Sequence, residues 1–168
     1  PARADLVVAQ QGGGAFRARR VKAGDLRGWR PVGVELRAAR DGWRAGSGVA
    51  IDHVISDFIN GAMEHLCWER RRRQIVVIEG QGSVYHPAYS GVTVGMLHGC
   101  MPHCILYQHA PQRTQIRYYE RFKIPPLKQG IKLVEDLMAP LQPTRVVGVS
   151  LNTVDLTPTA AAQAAREI

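Results

Sequence analysis

Four consecutive β-branched residues, Ile75-Val76-Val77-Ile78, constrain the fold of this chain more than any other feature. A short, uninterrupted apolar run is typical of a strand buried on both faces, as in the middle of a parallel sheet. Two similar runs follow at Cys104-Ile105-Leu106-Tyr107 and at Arg145-Val146-Val147-Gly148-Val149-Ser150. Because helical patterns separate the three runs, the sequence predicts an α/β fold with a parallel sheet and helices on both of its faces.

The helices are predicted from apolar spacing and from residues that start helices. Apolar residues recur every three or four positions from Ile51 to Leu66, which predicts one long amphipathic helix. Two more helices are predicted at about 91–98 and at 127–138. Thr157 is expected to cap a last helix, with Pro158 at its first position. Ligands of parallel sheets bind at the carboxyl ends of strands, so we expect the loops after the three strands to meet in one crevice.

The first 44 residues differ from the rest of the chain in composition and in the lack of a regular apolar pattern. They hold ten Lys/Arg against four Asp/Glu, and so carry most of the net charge of +8. Arg, Gly, Ala and Trp dominate, and apart from Leu6-Val7-Val8 and Val32-Gly33-Val34 nothing there suggests strands. Three interpretations remain open: a basic tail, a disordered leader, or a stretch translated in a shifted frame. Because the remaining chain is nearly neutral, nucleic-acid binding is the least favoured function.

Several other classes of protein are disfavoured by composition. The sequence has no run of about 18 uncharged apolar residues, so we expect no membrane span. It also shows no apolar core of a secretory signal. Three cysteines are an odd count, which favours a reduced, cytoplasmic setting. Two histidines and two cysteines lie close together without a paired Cys-x-x-Cys, so core thiols and loop histidines are favoured over zinc: His98, Cys100, His103 and Cys104.

Glu79 is the central candidate for chemistry. It directly follows the first apolar run, so its carboxylate is expected at the sheet edge, where it could bind Mg²⁺ or act on a substrate. Gly80 and Gly82 allow the backbone to approach a ligand, and their N–H groups could line an anion site. Gln81 lies between them, and Ser83 adds a hydroxyl. An ordinary strand-to-helix turn with an exposed acid is the alternative.

Further candidates lie in the polar segments beyond the strands: His86, Tyr89, Ser90, His109, Arg113 and Asn152. His86 could act as a base, or could simply form a hydrogen bond within its loop. Arg113 could hold a carboxylate or phosphate with two hydrogen bonds, or face solvent. Asn152 could hydrogen-bond a base or a substrate amide. Asp52, in the first turn of the predicted long helix, suits the helix dipole and is a second, weaker metal candidate.

Three motifs are absent from the sequence. It contains no Gly-x-x-x-x-Gly-Lys-[Ser/Thr], the Walker A loop that holds nucleotide phosphates. It contains no Gly-x-Gly-x-x-Gly, which disfavours a dinucleotide-binding unit. Since it also lacks Gly-x-Ser-x-Gly, a serine hydrolase is disfavoured.

Three segments resemble a known family: "GSGVAID", "VIEGQGSVYHPAYSGVTVGMLHG" and "VVGVSLNT". Over roughly residues 46–152 the chain is similar to the C-terminal domain of a bacterial and archaeal family of unknown function, whose characterised members are D-glutamate N-acetyltransferases. The resemblance implies a P-loop NTPase-type domain that follows a Rossmann-like domain. The "VIEGQGS" segment also resembles the Glu-Gly-x-Gly segment of dethiobiotin and cobyrinic acid synthetases.

The resemblance implies transfer of an acetyl group from acetyl-CoA to the amino group of an acidic D-amino acid. By this likeness Glu79 is the acid near Mg²⁺, and residues 80–83 border the substrate. Glu79 and His86 are the candidate bases, with Arg113 holding a substrate carboxylate. We also expect a homo-oligomer. An ATP- and Mg²⁺-dependent nucleotide-binding or ligase-like module is the alternative, and an inactive, truncated remnant is the second alternative.

The chain departs from the family pattern in two places. A family loop that usually reads His-Glu-Ala-Gly-Arg is "HAPQR" here, at residues 109–113. The strand and Walker A loop expected before Gly46 are replaced by the basic stretch. We therefore expect residues 1–44 to be an atypical segment and residues 45–168 to be a P-loop-type domain that is incomplete at both ends. A parallel sheet without its central strand would expose apolar surface.

Overall fold

The computed structural model describes residues 5–10, 51–71, 75–79 and 82–168. Strands and helices alternate through most of this part of the chain. In order they are β1 (Asp5–Gln10), α1 (Ile59–Glu69), β2 (Ile75–Glu79), α2 (Ser90–Cys100), β3 (Cys104–His109), β4 (Gln115–Ile116), β5 (Tyr119–Lys123), α3 (Leu127–Met138), β6 (Arg145–Leu151) and α4 (Pro158–Glu167).

The main sheet has four parallel strands in the order β2-β1-β3-β6. The predicted α/β fold with a parallel sheet is therefore confirmed. The inner strand β1 pairs with both neighbours, and Val8 is aligned with Ile78 on one side and with Ile105 on the other. This strand comes from the segment that was expected to leave the sheet without a central strand. Its apolar Leu6-Val7-Val8 suits an inner position, whereas residues 11–50 lie outside the described residues.

Most predicted elements agree with the structure. The three apolar runs form β2, β3 and β6, and the helix predicted at 127–138 is α3. The helix predicted at 91–98 extends slightly further, as α2. The predicted cap of α4 is confirmed, because the Thr157 hydroxyl oxygen accepts a hydrogen bond from the Ala160 N–H at 3.2 Å.

The single long helix predicted from Ile51 to Leu66 is wrong. Two short 3-10 turns, Ile51–His53 and Ser56–Phe58, come first, and the α-helix begins at Ile59. Ile55 has extended backbone (φ −57°, ψ 135°), which interrupts the helix between the two turns. The apolar spacing was misleading because Ile55 and Phe58 are 68% and 64% exposed.

Helices α1 and α2 pack at close range through the glycines of α2. A Cβ atom added at Gly99 would lie 2.8 Å from the Cα of Asn60 and from the Cβ of Met63. One added at Gly95 would lie 2.7 Å from a methyl group of Ile59. Any larger residue at these two positions would therefore push α1 away from α2.

The buried core joins these helices to the sheet. Its most deeply buried residues are Met63, Ile78, Leu97, Ile105, Val134 and Met138. Cys100 belongs to this core, as predicted, and burial raises the pKa of its thiol. His98 lies close by and contacts the Leu137 carbonyl oxygen through Nε2 at 3.1 Å. Within the described ranges, no helix is both long and apolar enough to cross a membrane.

The antiparallel hairpin of β4 and β5 was not predicted. Ile116 pairs with Tyr119, and Arg117 and Tyr118 form the turn between them. Tyr118 has a positive φ of 67°, a conformation that usually selects glycine or asparagine in a turn. Because this residue is a tyrosine, the sequence lacks the usual turn signal.

Candidate functional site at the carboxyl edge of the sheet

The loops that follow β2, β3 and β6 meet, as predicted. The ring of His86, in the loop after β2, lies with its centroid 5.2 Å from that of Tyr119 in the hairpin after β3. Arg113, also after β3, forms an ion pair at 3.7 Å with Asp155, which follows β6. The three loops therefore form one continuous surface at the carboxyl ends of the strands, where ligands of parallel sheets bind.

Helix α2 holds the loop that precedes it. The Thr93 hydroxyl, 2% exposed, lies 2.6 Å from the Gly82 carbonyl oxygen and 3.1 Å from that of Tyr89. Gly82 packs so closely on Tyr89 that an added Cβ would lie 2.9 Å from the Tyr89 Cβ. These contacts explain why glycine is needed at position 82, and they fix the loop against the helix.

The backbone of His86 is held on both sides. Its N–H donates to the Ser83 carbonyl oxygen at 3.0 Å, and its own carbonyl accepts from the N–H groups of Tyr89 at 3.2 Å and Ser90 at 2.9 Å. The Ala88 N–H donates to Nδ1 of the His86 ring at 3.1 Å. The predicted candidates thus form one hydrogen-bonded segment that leads into the first residue of α2: Ser83, His86, Tyr89 and Ser90.

Two tyrosine rings pack against the His86 imidazole. Tyr89 lies at 4.5 Å between ring centroids, and Tyr119 meets the imidazole edge at 75° between the planes. Partial burial lowers the pKa of His86, because desolvation disfavours the charged ring. His86 is therefore a neutral, oriented imidazole near neutral pH.

Four predicted candidates are only partly covered by the structure, or not at all. The backbone of Glu79 ends β2, paired with Ala9 of β1, so the residue stands at the expected edge of the sheet. Its side chain lies outside the described residues, as do Gly80, Gln81 and the side chain of Asp52. Their roles in metal or substrate binding stay predictions.

Asn152 and His109 join the ends of β6 and β3. The Asn152 N–H donates to the His109 carbonyl oxygen at 2.8 Å. The side-chain oxygen of Asn152 accepts from the Val154 N–H at 3.2 Å, an Asx-type turn, and the residue is 6% exposed. Asn152 therefore shapes the loop after β6, with its oxygen engaged inside the chain. Burial lowers the pKa of the His109 imidazole.

Arg113 already holds a carboxylate. Asp155 is the acceptor, and Gln112 Nε2 approaches the same oxygen at 3.4 Å. The other amide atom of Gln112, Oε1, is buried and has no hydrogen-bond partner among the residues that the structure describes. The arrangement therefore presents a guanidinium group that already binds a carboxylate.

Four residues that shape this site were not predicted from the sequence: Thr93, which is buried beneath it, and Gln112, Tyr119 and Asp155. Gln112 lies in the "HAPQR" segment beside Arg113, so its position in that loop was the available signal. Nothing in the sequence near Asp155 or Tyr119 indicates a role, because each contacts a residue far away in the chain: Arg113 for Asp155 and His86 for Tyr119. Tyr85 and Tyr107 were also missed as a pair, although their hydroxyl oxygens lie 3.3 Å apart and tie the loop after β2 to β3.

Known proteins are similar in sequence to this chain. The sequence profile of the P-loop domain of DUF1611, a domain of unknown function (DUF1611_C), matches residues 42–168. A D-glutamate N-acetyltransferase from Pseudoalteromonas sp is 43% identical over 110 residues, which cover 65% of this chain and 33% of the relative. A protein of the same name from Tritonibacter scottomollicae is 36% identical over 116 residues, 66% of this chain and 34% of the relative.

A solved structure is similar as well. The crystal structure of a DUF1611 family protein from Anabaena variabilis superposes with a TM-score of 0.70 at 34% identity, over 73% of this chain and 37% of that one. The chain spans about a third of the length of the curated relatives it matches. Since the family profile covers three quarters of its residues, the chain belongs to the DUF1611 family and carries that family's P-loop domain.

Proposed function

We propose that this domain takes part in transfer of an acetyl group from acetyl-CoA to the amino group of an acidic D-amino acid, with D-glutamate as the first substrate to test. The observation that carries the proposal is the similarity to two proteins named D-glutamate N-acetyltransferase. The surface formed by the loops after β2, β3 and β6 supports it, because it combines the imidazole of His86 with the guanidinium group of Arg113.

The reaction needs three things from a protein. The neutral amine nitrogen bonds to the thioester carbon, the C–S bond breaks, and coenzyme A leaves as the thiolate, which takes up a proton from water. The nitrogen gives up a proton to a base. The substrate must also be held by its carboxylates, and the negative charge that develops on the thioester oxygen must be stabilised.

Arg113 is the proposed group for a substrate carboxylate. Its partner Asp155 has a side chain 60% exposed, and the Arg113 side chain is 25% exposed. A pair this accessible to water contributes little stability, so a substrate carboxylate can replace Asp155 at low cost.

Glu79 is the proposed base. Its backbone ends β2 at the same edge of the sheet as the three loops. A carboxylate at this position would take the amine proton, while Mg²⁺ binding there belongs to the nucleotide-dependent alternative. A Walker A lysine would favour that alternative, and the sequence given lacks one.

The test is an acetylation assay with the purified chain, acetyl-CoA and D-glutamate. Release of coenzyme A is followed with a thiol-reactive dye, and N-acetylglutamate is identified by mass spectrometry. L-Glutamate tests handedness, and D-alanine tests the need for a side-chain carboxylate. We expect product with D-glutamate and at least tenfold less with D-alanine.

Arg113→Ala should raise the KM for D-glutamate by tenfold or more, with a smaller change in KM for acetyl-CoA. Arg121→Ala, a change in the exposed hairpin, is the matched control. Release of coenzyme A that is no faster with D-glutamate than without it would contradict the proposed function.

A further inference from the structure

We infer that His86 serves as a hydrogen-bond donor to the thioester oxygen, through Nε2–H, and not as the base that sequence reasoning proposed for it. The inference rests on the proposed acetyl transfer and assigns a specific part of it. It is carried by the contacts of the His86 ring within its own loop.

The backbone fixes which ring nitrogen carries the proton. A peptide N–H can only donate, and that of Ala88 lies 3.1 Å from Nδ1 of His86. Nδ1 must therefore present a lone pair, and the proton of the neutral imidazole stands on Nε2. A second proton at Nδ1 would face the peptide hydrogen, so the charged imidazolium is disfavoured by the same contact.

This tautomer cannot serve as a base through Nε2. The Nε2 atom already carries hydrogen, and the lone pair at Nδ1 is occupied by the Ala88 N–H. What remains is one oriented N–H donor. The packing of Tyr89 and Tyr119 on the ring limits its rotation, so the donor keeps its direction.

A neutral imidazole donor suits a thioester. As the amine attacks, the C=O double bond becomes a C–O⁻ single bond, and a donor placed beforehand stabilises this charge without giving up its proton. Neutral histidines polarise substrate carbonyls in this way in other enzymes, where the N-terminus of a helix lowers the pKa of the ring. In this chain the lowered pKa is due to burial, and it likewise keeps the ring neutral.

The first experiment observes the proton directly. In the full chain labelled with ¹⁵N-histidine, long-range ¹H–¹⁵N spectra at pH 7 distinguish the two tautomers and the imidazolium. His86→Gln assigns the signals by their loss. We expect a single Nε2–H tautomer at His86; an Nδ1–H tautomer or an imidazolium at pH 7 would overturn the inference.

The second experiment separates a donor from a base. Glutamine retains an N–H donor but cannot take a proton, whereas alanine can do neither. We expect His86→Ala to lower kcat by about 100-fold or more, the usual effect of losing one such donor, and His86→Gln to recover at least tenfold of that loss. The acidic limb of the kcat/KM profile should be unchanged in His86→Gln. His65→Gln, an exposed histidine on α1, is the control.

The failures of the two proposals are distinguishable. Equal losses in the Gln and Ala variants, together with loss of the acidic limb, would show that His86 is a base and overturn only this inference. A wild-type chain that folds but releases no coenzyme A would overturn the proposed function, and with it the role of His86 toward a thioester. In both cases the NMR measurement still decides the tautomer.

Discussion

The hydroxyl group of Thr93 lies 2.6 Å from the carbonyl oxygen of Gly82, and this one contact ties the first turn of α2 to the loop that follows β2. The same hydroxyl reaches Tyr89, which packs on the ring of His86. The orientation of the candidate donor therefore depends on a buried side chain that does not itself touch a ligand.

Replacing Thr93 by valine should destabilise the chain and loosen this loop. Valine has nearly the same shape but no hydroxyl, so the hydrogen bond to the Gly82 carbonyl oxygen is lost, at a cost of about 0.5–1.5 kcal/mol. Thr93→Ser, which retains the hydroxyl, should cost less. Urea denaturation gives the free energies of unfolding. Equal stabilities of the valine variant and the wild type would show that the contact contributes nothing.

Gly99→Ala should destabilise the packing of α1 on α2. The new methyl group would lie 2.8 Å from Asn60 Cα, and overpacking of this kind typically costs about 1–3 kcal/mol. Gly91, on the same helix, has open space at its Cβ position. Gly91→Ala should therefore stabilise the helix by up to about 1 kcal/mol. Thermal unfolding of both variants tests the pair, and a shift in the same direction for both would contradict the packing argument.

Met101→Gly should stabilise the end of α2. Met101 follows the helix in the left-handed conformation, with φ 42°, which disfavours any residue with a Cβ atom by about 1 kcal/mol. Its N–H still donates to the Leu97 carbonyl oxygen, a contact that glycine preserves. Met101→Ala retains the Cβ and serves as the control. A glycine variant no more stable than the alanine variant would show that the backbone is unstrained.

Asp155→Ala should strengthen binding of acidic substrates. Removing this carboxylate frees the Arg113 guanidinium group, so the KM for D-glutamate should fall by about two- to fivefold, as expected for an exposed ion pair worth up to about 1 kcal/mol. Asp136→Ala removes the carboxylate of a comparable pair, with Lys132 on α3, and is the control. A KM that rises in Asp155→Ala would show that Asp155 binds the substrate instead of competing with it.

Stability should fall below about pH 6.5 because of two partly buried histidines, His86 and His109. Burial lowers the pKa of His86 and of His109 from their ordinary value of 6.5, so the unfolded state binds protons more readily than the folded state. Their effect is absent well above that pH, and stability is lost as pH falls through the unfolded and then the folded pKa. The double variant His86→Gln/His109→Gln should show a flatter dependence of unfolding free energy between pH 5 and 8 than the wild type; an unchanged dependence would contradict the contribution of these two histidines.

The strands and helices that were predicted correctly are those whose formation depends on residues close together in the sequence. Four β-branched residues in a row form β2, and the apolar spacing of 127–138 forms α3. Thr157 caps α4 through an atom only three residues away. Where the local pattern failed, at Ile55 and Phe58, the apolar side chains are exposed. A periodic pattern predicts a helix only if the periodic face is buried.

Local patterns in the sequence were enough to predict the parallel α/β architecture and the sheet edge at which Glu79, His86 and Arg113 were expected. The position of β1 between β2 and β3 is visible only in the folded chain, because strand order depends on pairing between distant segments. The same holds for the ion pair between Asp155 and Arg113. The role of His86 changed for the same reason: its residue type permits a base or a donor, and the position of one peptide N–H selects the donor.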